Sequence, residues 1–132
     1  MLILLLLSIR IYAQQGERIT IQVTNIPNDQ GQLIISLHSS QEKFPKKYDY
    51  RKFANIQNGK SVSVFEKIPH GEYAVSIVHD ENKNGKLDFY FFGMPSEKTA
   101  ASNNATKFWG PPDWEDAKFY FDGSPIVQMI EM

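Results

Sequence analysis

The chain has 132 residues, 42% hydrophobic and 22% charged, which is room for one small globular domain and excludes a multidomain arrangement. Fourteen basic residues against fifteen acidic ones leave a formal charge of −1, so there is no electrostatic footprint for nucleic acid or for a polybasic membrane surface. The absence of cysteine removes disulfides, thiolate catalysis, zinc-thiolate sites and a thioether lipid anchor.

Residues 2–9 read Leu-Ile-Leu-Leu-Leu-Leu-Ser-Ile, an apolar run of signal-peptide length and too short to span a bilayer. Ala13 offers the small side chain that a signal peptidase accepts, so residues 1–13 are expected to be removed and Gln14 to become the amino terminus. No Lys or Arg precedes the run and Arg10 follows it; a start codon placed too far downstream would explain the missing basic segment. The expected address is periplasmic or extracellular, and residues 14–132 form the domain, without a membrane span.

Ile19, Ile21 and Val23 alternate with polar residues, and after Pro27-Asn28-Asp29-Gln30-Gly31 the alternation resumes at Leu33, Ile35 and Leu37, which predicts a hairpin. Residues 41–58 show neither helical nor strand period and read as a long crossover with one short strand. Val62 and Val64, then Tyr73, Val75 and Ile77 beyond Pro69-His70-Gly71, predict a second strand pair. Lys118 to Phe121 and Ile126 to Ile130 flank Asp122-Gly123-Ser124-Pro125 and predict a third. No segment keeps a long period of 3.6 residues. The expected fold is all-β, a single antiparallel β-sandwich of about seven strands, immunoglobulin-like or transthyretin-like.

The strand ending at His79 runs into Asp80-Glu81-Asn82-Lys83-Asn84-Gly85-Lys86-Leu87-Asp88, which satisfies D-x-[DN]-x-[DN]-G-x-x-D at every specified position. Calcium takes six to eight hard oxygens, and a loop wrapped around it presents side chains at positions 1, 3 and 5, a carbonyl at 7 and a further group at 9. Those positions are Asp80, Asn82, Asn84, Lys86 (through its carbonyl) and Asp88, and Gly85 permits the sharp turn. A helix–loop–helix hand needs a bidentate Glu at position 12, where Phe91 stands, so the expectation is the shorter loop of β-proteins. Lys83 and Lys86 offset the two acids and place the expected affinity in the weak extracellular range of ~10⁻⁴–10⁻³ M. The competing reading is a hairpin turn at Asn84-Gly85 whose polar residues face water.

Ten of the 17 aromatic residues lie between Phe89 and Phe121. Phe89 and Phe91 face one side of an extended stretch and Tyr90 and Phe92 the other, so either both faces are covered or one presents an aromatic patch. Burial is the commoner outcome for such rings; the alternative is a platform for a sugar or peptide, in which Trp109 and Trp114, flanking Gly110-Pro111-Pro112, would be the exposed rings.

His79 to Asp88, Gly93-Met94-Pro95-Ser96-Glu97, Ser102-Asn103-Asn104 and Gly110 to Ala117, together with Gly71-Glu72-Tyr73-Ala74-Val75, resemble the successive motifs of the exported bacterial family called domain of unknown function 2141. The resemblance spans roughly residues 18–131 and implies a transthyretin-like or immunoglobulin-like sandwich, with no activity attached. Ala100-Ala101 departs from the Gly-Phe usual in that family before Ser-Asn-Asn.

Catalysis finds little purchase. His38, His70 and His79 are the only histidines, and no G-x-S-x-G elbow is present. Transthyretin-like purine-pathway hydrolases use paired histidines, an arginine and a Tyr-Arg-Gly-Ser tail, where this chain reads Val127-Gln128-Met129-Ile130-Glu131-Met132. Glu81, Asp88, Glu97, Glu115 and Asp116 show no spacing that marks a glycosidase pair. The expectation is therefore an exported, non-catalytic sandwich that binds an envelope protein or a glycan, or supports envelope structure, through a domain with a calcium-stabilised loop. The alternatives are a carbohydrate-binding module using the tryptophan loop and a small hydrolase.

Overall fold

The computed structural model describes residues 17–89 and 95–132. The expected cleavage after Ala13 and the faces of Tyr90, Phe91 and Phe92 lie outside the described residues. Eight strands occur within them, in chain order β1 (Arg18–Thr24), β2 (Gln32–His38), β3 (Tyr50–Ala54), β4 (Ser61–Glu66), β5 (Gly71–Asp80), β6 (Thr99–Ala101), β7 (Phe119–Phe121) and β8 (Ile126–Glu131). A 3-10 turn at Ser102–Asn104 and a one-turn helix α1 (Trp114–Ala117) complete the elements.

The strands form two sheets, so the all-β sandwich expected from alternation is the observed architecture. One has the order β4-β1-β8, and the other β3-β2-β5-β6, with β7 also pairing β5. The long strand β5 carries β2 along one side and, on the other, β7 against Gly71 to Tyr73 and β6 against Ser76 to Val78. All pairings are antiparallel except β1 with β8, which is parallel from Ile19↔Ile126 to Thr24↔Glu131.

The three expected hairpins are a correction. β1 pairs β4 and β8, not β2; β4 pairs β1, not β5; β7 pairs β5, not β8. Each of those turns carries the chain from one sheet to the other. The reason lies in the turns: Ile26 and Ile68 sit within the first two, are 5% and 1% exposed, and close the ends of the core. A two-residue hairpin would leave such side chains at its tip in water. Residues Asn25, Gly31 and Lys67 take positive φ where the chain leaves its sheet plane.

The core between the sheets is built from the alternating residues: Ile19, Ile21 and Val23 face Leu33, Ile35, Leu37, Val75 and Ile77, all 0% exposed. The five-stranded sheet is covered on its outer side as well, where Ala74, Ala101, Trp114 and Ala117 form a second cluster against Phe44. The aperiodic crossover contains one strand, β3, as expected. His38 anchors it to the sheet: Nδ1 donates to the Lys47 carbonyl at 2.6 Å, and Nε2 accepts from Ser76 Oγ at 2.8 Å.

Candidate metal centre

The register of the central sheet sets the site. Gln32 in β2 lies opposite Asp80, the last residue of β5, and its amide donates to Asp80 Oδ2 at 2.9 Å. Asp80 is 0% exposed, and its carboxylate also accepts from the N–H groups of Asn84 (3.2 Å) and Gly85 (2.9 Å), so the loop folds back over it. Gly31, at φ +71, lies against the same backbone: a Cβ there would stand 2.1 Å from the Asp80 carbonyl oxygen. The turn before β2 therefore buttresses the start of the loop, and only glycine allows the approach.

Asp88 closes the loop. It accepts from Asn84 Nδ2 at 2.7 and 2.9 Å and from Asn82 Nδ2 at 2.9 Å, and these amides, Asn84 first, hold its carboxyl below the ordinary value. The Asn82 and Asn84 oxygens accept from the N–H groups of Asn84 and Lys86, a nested pair of Asx turns. Lys86 is thus bound through its N–H. A half-turn of either amide would present oxygen to Asp88's side of the loop.

Glu97 was not among the five residues expected from loop spacing. It arrives from the segment that returns toward β6, where Ser96 N–H donates to the Asp88 carbonyl at 2.9 Å and His79 N–H to the Lys98 carbonyl at 2.9 Å. Its carboxylate accepts from Glu81 N–H at 2.9 Å and Asp88 N–H at 3.0 Å, one on each limb of the loop. Carboxylate oxygens of Asp80, Asp88 and Glu97 lie within 4.8 Å of one another. Such a group of carboxylates could hold a metal ion, and hard oxygens from several chain positions are what calcium takes.

The aromatic expectation is divided. Trp109 is 68% exposed and Phe108 91%, their rings edge to face at 5.4 Å. Trp114, the second ring of the platform reading, is 8% exposed and follows the burial reading. It opens α1 and packs on Ala74, Ala101 and Phe44, because the outer face of β5 carries small residues that need a large ring to cover them. His79 is also 0% exposed: Nε2 donates to the Gln30 carbonyl at 2.8 Å, and Nδ1 stands 3.9 Å from Glu81.

Ser102-Asn103-Asn104 has a structural part in this half of the molecule. Ser102 Oγ accepts from Val75 N–H at 2.8 Å and donates to the Ala117 carbonyl at 2.6 Å. Asn103 Nδ2 donates to the Asp116 and Lys118 carbonyls, and Asn104 Oδ1 accepts from Glu131 N–H. The triplet ties β5, α1 and β8 together.

The family described as "uncharacterized protein conserved in bacteria (DUF2141)" matches residues 21–128, and the chain belongs to it. No curated protein and no solved structure matches the chain. Among the described residues, no helix is long and apolar enough to cross a membrane.

Proposed function

We propose that this member of a bacterial family of unassigned role is an exported, non-catalytic β-sandwich that binds an envelope protein or glycan, or supports envelope structure, and that calcium stiffens its 80–88 loop. Asp80, Asn82, Asn84, the Lys86 carbonyl and Asp88 supply the loop ligands, and Glu97 adds a charged ligand from outside the loop. The observation that carries the reading is the convergence of the Asp80, Asp88 and Glu97 carboxylates within 4.8 Å. Glu97 takes the part that position 12 plays in a helix–loop–helix hand, a second limb that closes the ion's shell. The apolar run at residues 2–9 supports export, and exported proteins meet calcium at the millimolar level that such loops need. The glycan reading keeps Trp109 and Phe108 as exposed rings but has lost Trp114.

The test is thermal unfolding of the full chain in chelator and in rising calcium. Binding to the folded state alone stabilises by about 1.4 kcal/mol at tenfold excess over Kd, which for a domain of this size raises Tm by several degrees. Magnesium should do much less, because it keeps its waters and prefers a smaller octahedral shell. Glu97→Gln should weaken the calcium shift and Asp88→Asn should remove most of it. A Tm that is the same in chelator and in calcium well above millimolar leaves the loop a plain turn and ends the calcium reading.

A further inference from the structure

The chain contains two Asn-Gly steps, Asn58-Gly59 and Asn84-Gly85, in different loops. Asn-Gly is the dipeptide most open to spontaneous deamidation, because glycine has no side chain to keep its nitrogen away from the asparagine amide carbon. In both steps the nitrogen that would attack is held. Gly85 N–H donates to Asp80 Oδ2 at 2.9 Å, and Gly59 N–H donates to Asp29 Oδ1 at 2.8 Å. In both, the other oxygen of the same carboxylate takes the asparagine's own N–H: Asn84 to Asp80 Oδ1 at 3.2 Å and Asn58 to Asp29 Oδ2 at 2.9 Å. Asp80 and Asp29 thus grip their steps in the same two-pronged way although they belong to unrelated turns.

We propose that Asn84 and Asn58 are latent deamidation sites, each kept shut by one carboxylate that binds the following glycine N–H. The reaction begins with loss of the glycine amide proton. The nitrogen then forms a bond to the asparagine Cγ, the Cγ–Nδ2 bond breaks with release of ammonia, and water opens the resulting succinimide to aspartate or isoaspartate. A carboxylate bonded to the N–H opposes the first step twice. Its negative charge disfavours the amide anion, and the bond must break before the nitrogen can turn toward Cγ.

The two sites differ in depth. Asn84 is held a second time through its side chain, whose Nδ2 donates to Asp88 and whose Oδ1 accepts from Lys86 N–H, so Cγ is fixed as well. Asp80 is 0% exposed, whereas Asp29 lies on the surface. Asn58 sits at φ +54 and Gly59 at +70, in a two-residue turn closed by Gln57 and Lys60. Asn58 is therefore the step that opens first as the protein ages. Conversion of Asn84 would put a fourth carboxylate beside Asp80, Asp88 and Glu97, and its isoaspartate form would lengthen the loop backbone by one carbon.

The experiment incubates the full chain in mildly alkaline buffer with chelator, which separates it from any effect of calcium. Peptide mapping by mass spectrometry follows both steps in the folded protein, in the urea-unfolded chain, and in Asp80→Asn and Asp29→Asn. Both steps should be slow in the folded protein and fast in urea. Asp80→Asn should speed deamidation at Asn84 alone and Asp29→Asn at Asn58 alone, each roughly ten- to a hundred-fold, the span of one hydrogen bond to a charged group. The untouched step reports that the variant is still folded. Should Asp80→Asn speed both steps by unfolding, Asp29→Asn, whose carboxylate is on the surface, carries the test. Folded protein that deamidates as fast as the unfolded chain, or an Asp29→Asn variant with Asn58 unchanged, overturns the proposal.

Discussion

Two glycines in positive φ show how a single residue's surroundings set its importance. Gly31 and Gly85 have φ of +71 and +79, yet a Cβ on Gly31 would strike backbone at 2.1 Å while one on Gly85 would meet nothing within 4 Å. Gly85→Ala should therefore cost only the left-handed conformation, about 1–2 kcal/mol. Gly31→Ala adds a collision with the Asp80 carbonyl and the Glu81 backbone that only movement of the turn can relieve, and should cost roughly 3–5 kcal/mol, at the upper end for single substitutions. Urea unfolding of the two variants checks the ranking, and equal costs would mean that the 27–31 turn does not brace the loop. Gly85 announces itself in the sequence as position 6 of a ligand pattern. Gly31 does not, because the group that it must approach lies 49 residues away in the chain.

At the scale of elements, strand positions were legible and partners were not. Period-2 alternation is local, and it located β1, β2, β4, β5, β7 and β8 to within a residue or two. A turn rich in Gly, Pro, Asn and Asp serves equally for a hairpin and for a passage between sheets, and what separates them is whether the turn buries a residue such as Ile26 or Ile68. Glu97 escaped for a related reason, since its place in the site depends on how the segment before β6 returns along β5. The crossover before β3 makes a further prediction. Burial is the main influence on His38 and, with Arg51 nearby, holds its pKa below the ordinary 6.5 against the Lys47 carbonyl bond and Asp49, which act the other way. A lowered folded-state pKa means that the unfolded chain takes up the proton first. Stability is then fully present above about pH 6.5 and falls as pH drops below it, by at most about 1.4 kcal/mol per pH unit. Denaturation midpoints measured from neutral pH down to the onset of carboxylate titration should show that slope, and His38→Gln should flatten it at some cost in overall stability.

For the whole molecule, the pairing of β1 with β8 joins strands from the two ends of the described chain. β1 is the middle strand of the smaller sheet, so it is stable only when β4 and β8 have both arrived. Deleting residues 123–132 removes Ile130 from the core, leaves one side of β1 unpaired, and frees the Asn104 contact to Glu131. The truncated chain should show no cooperative thermal transition, and calorimetry that found one would mean that the five-stranded sheet folds by itself. Pairings of such long sequence separation also place folding in the slow range for a domain of this size, milliseconds to seconds.

The same pair of strands decides how the molecule would bear a load. β1 and β8 run in one direction, so Arg18 and Glu131 stand at opposite ends of the six residue pairs that join them. A pull applied at those two residues draws one strand lengthwise past the other and strains every hydrogen bond of the ladder together. In a hairpin, whose two free ends lie side by side, the same pull would open the bonds one after another like a zip. Tension applied between those two positions would therefore be borne by the whole ladder at once and not by one bond at a time.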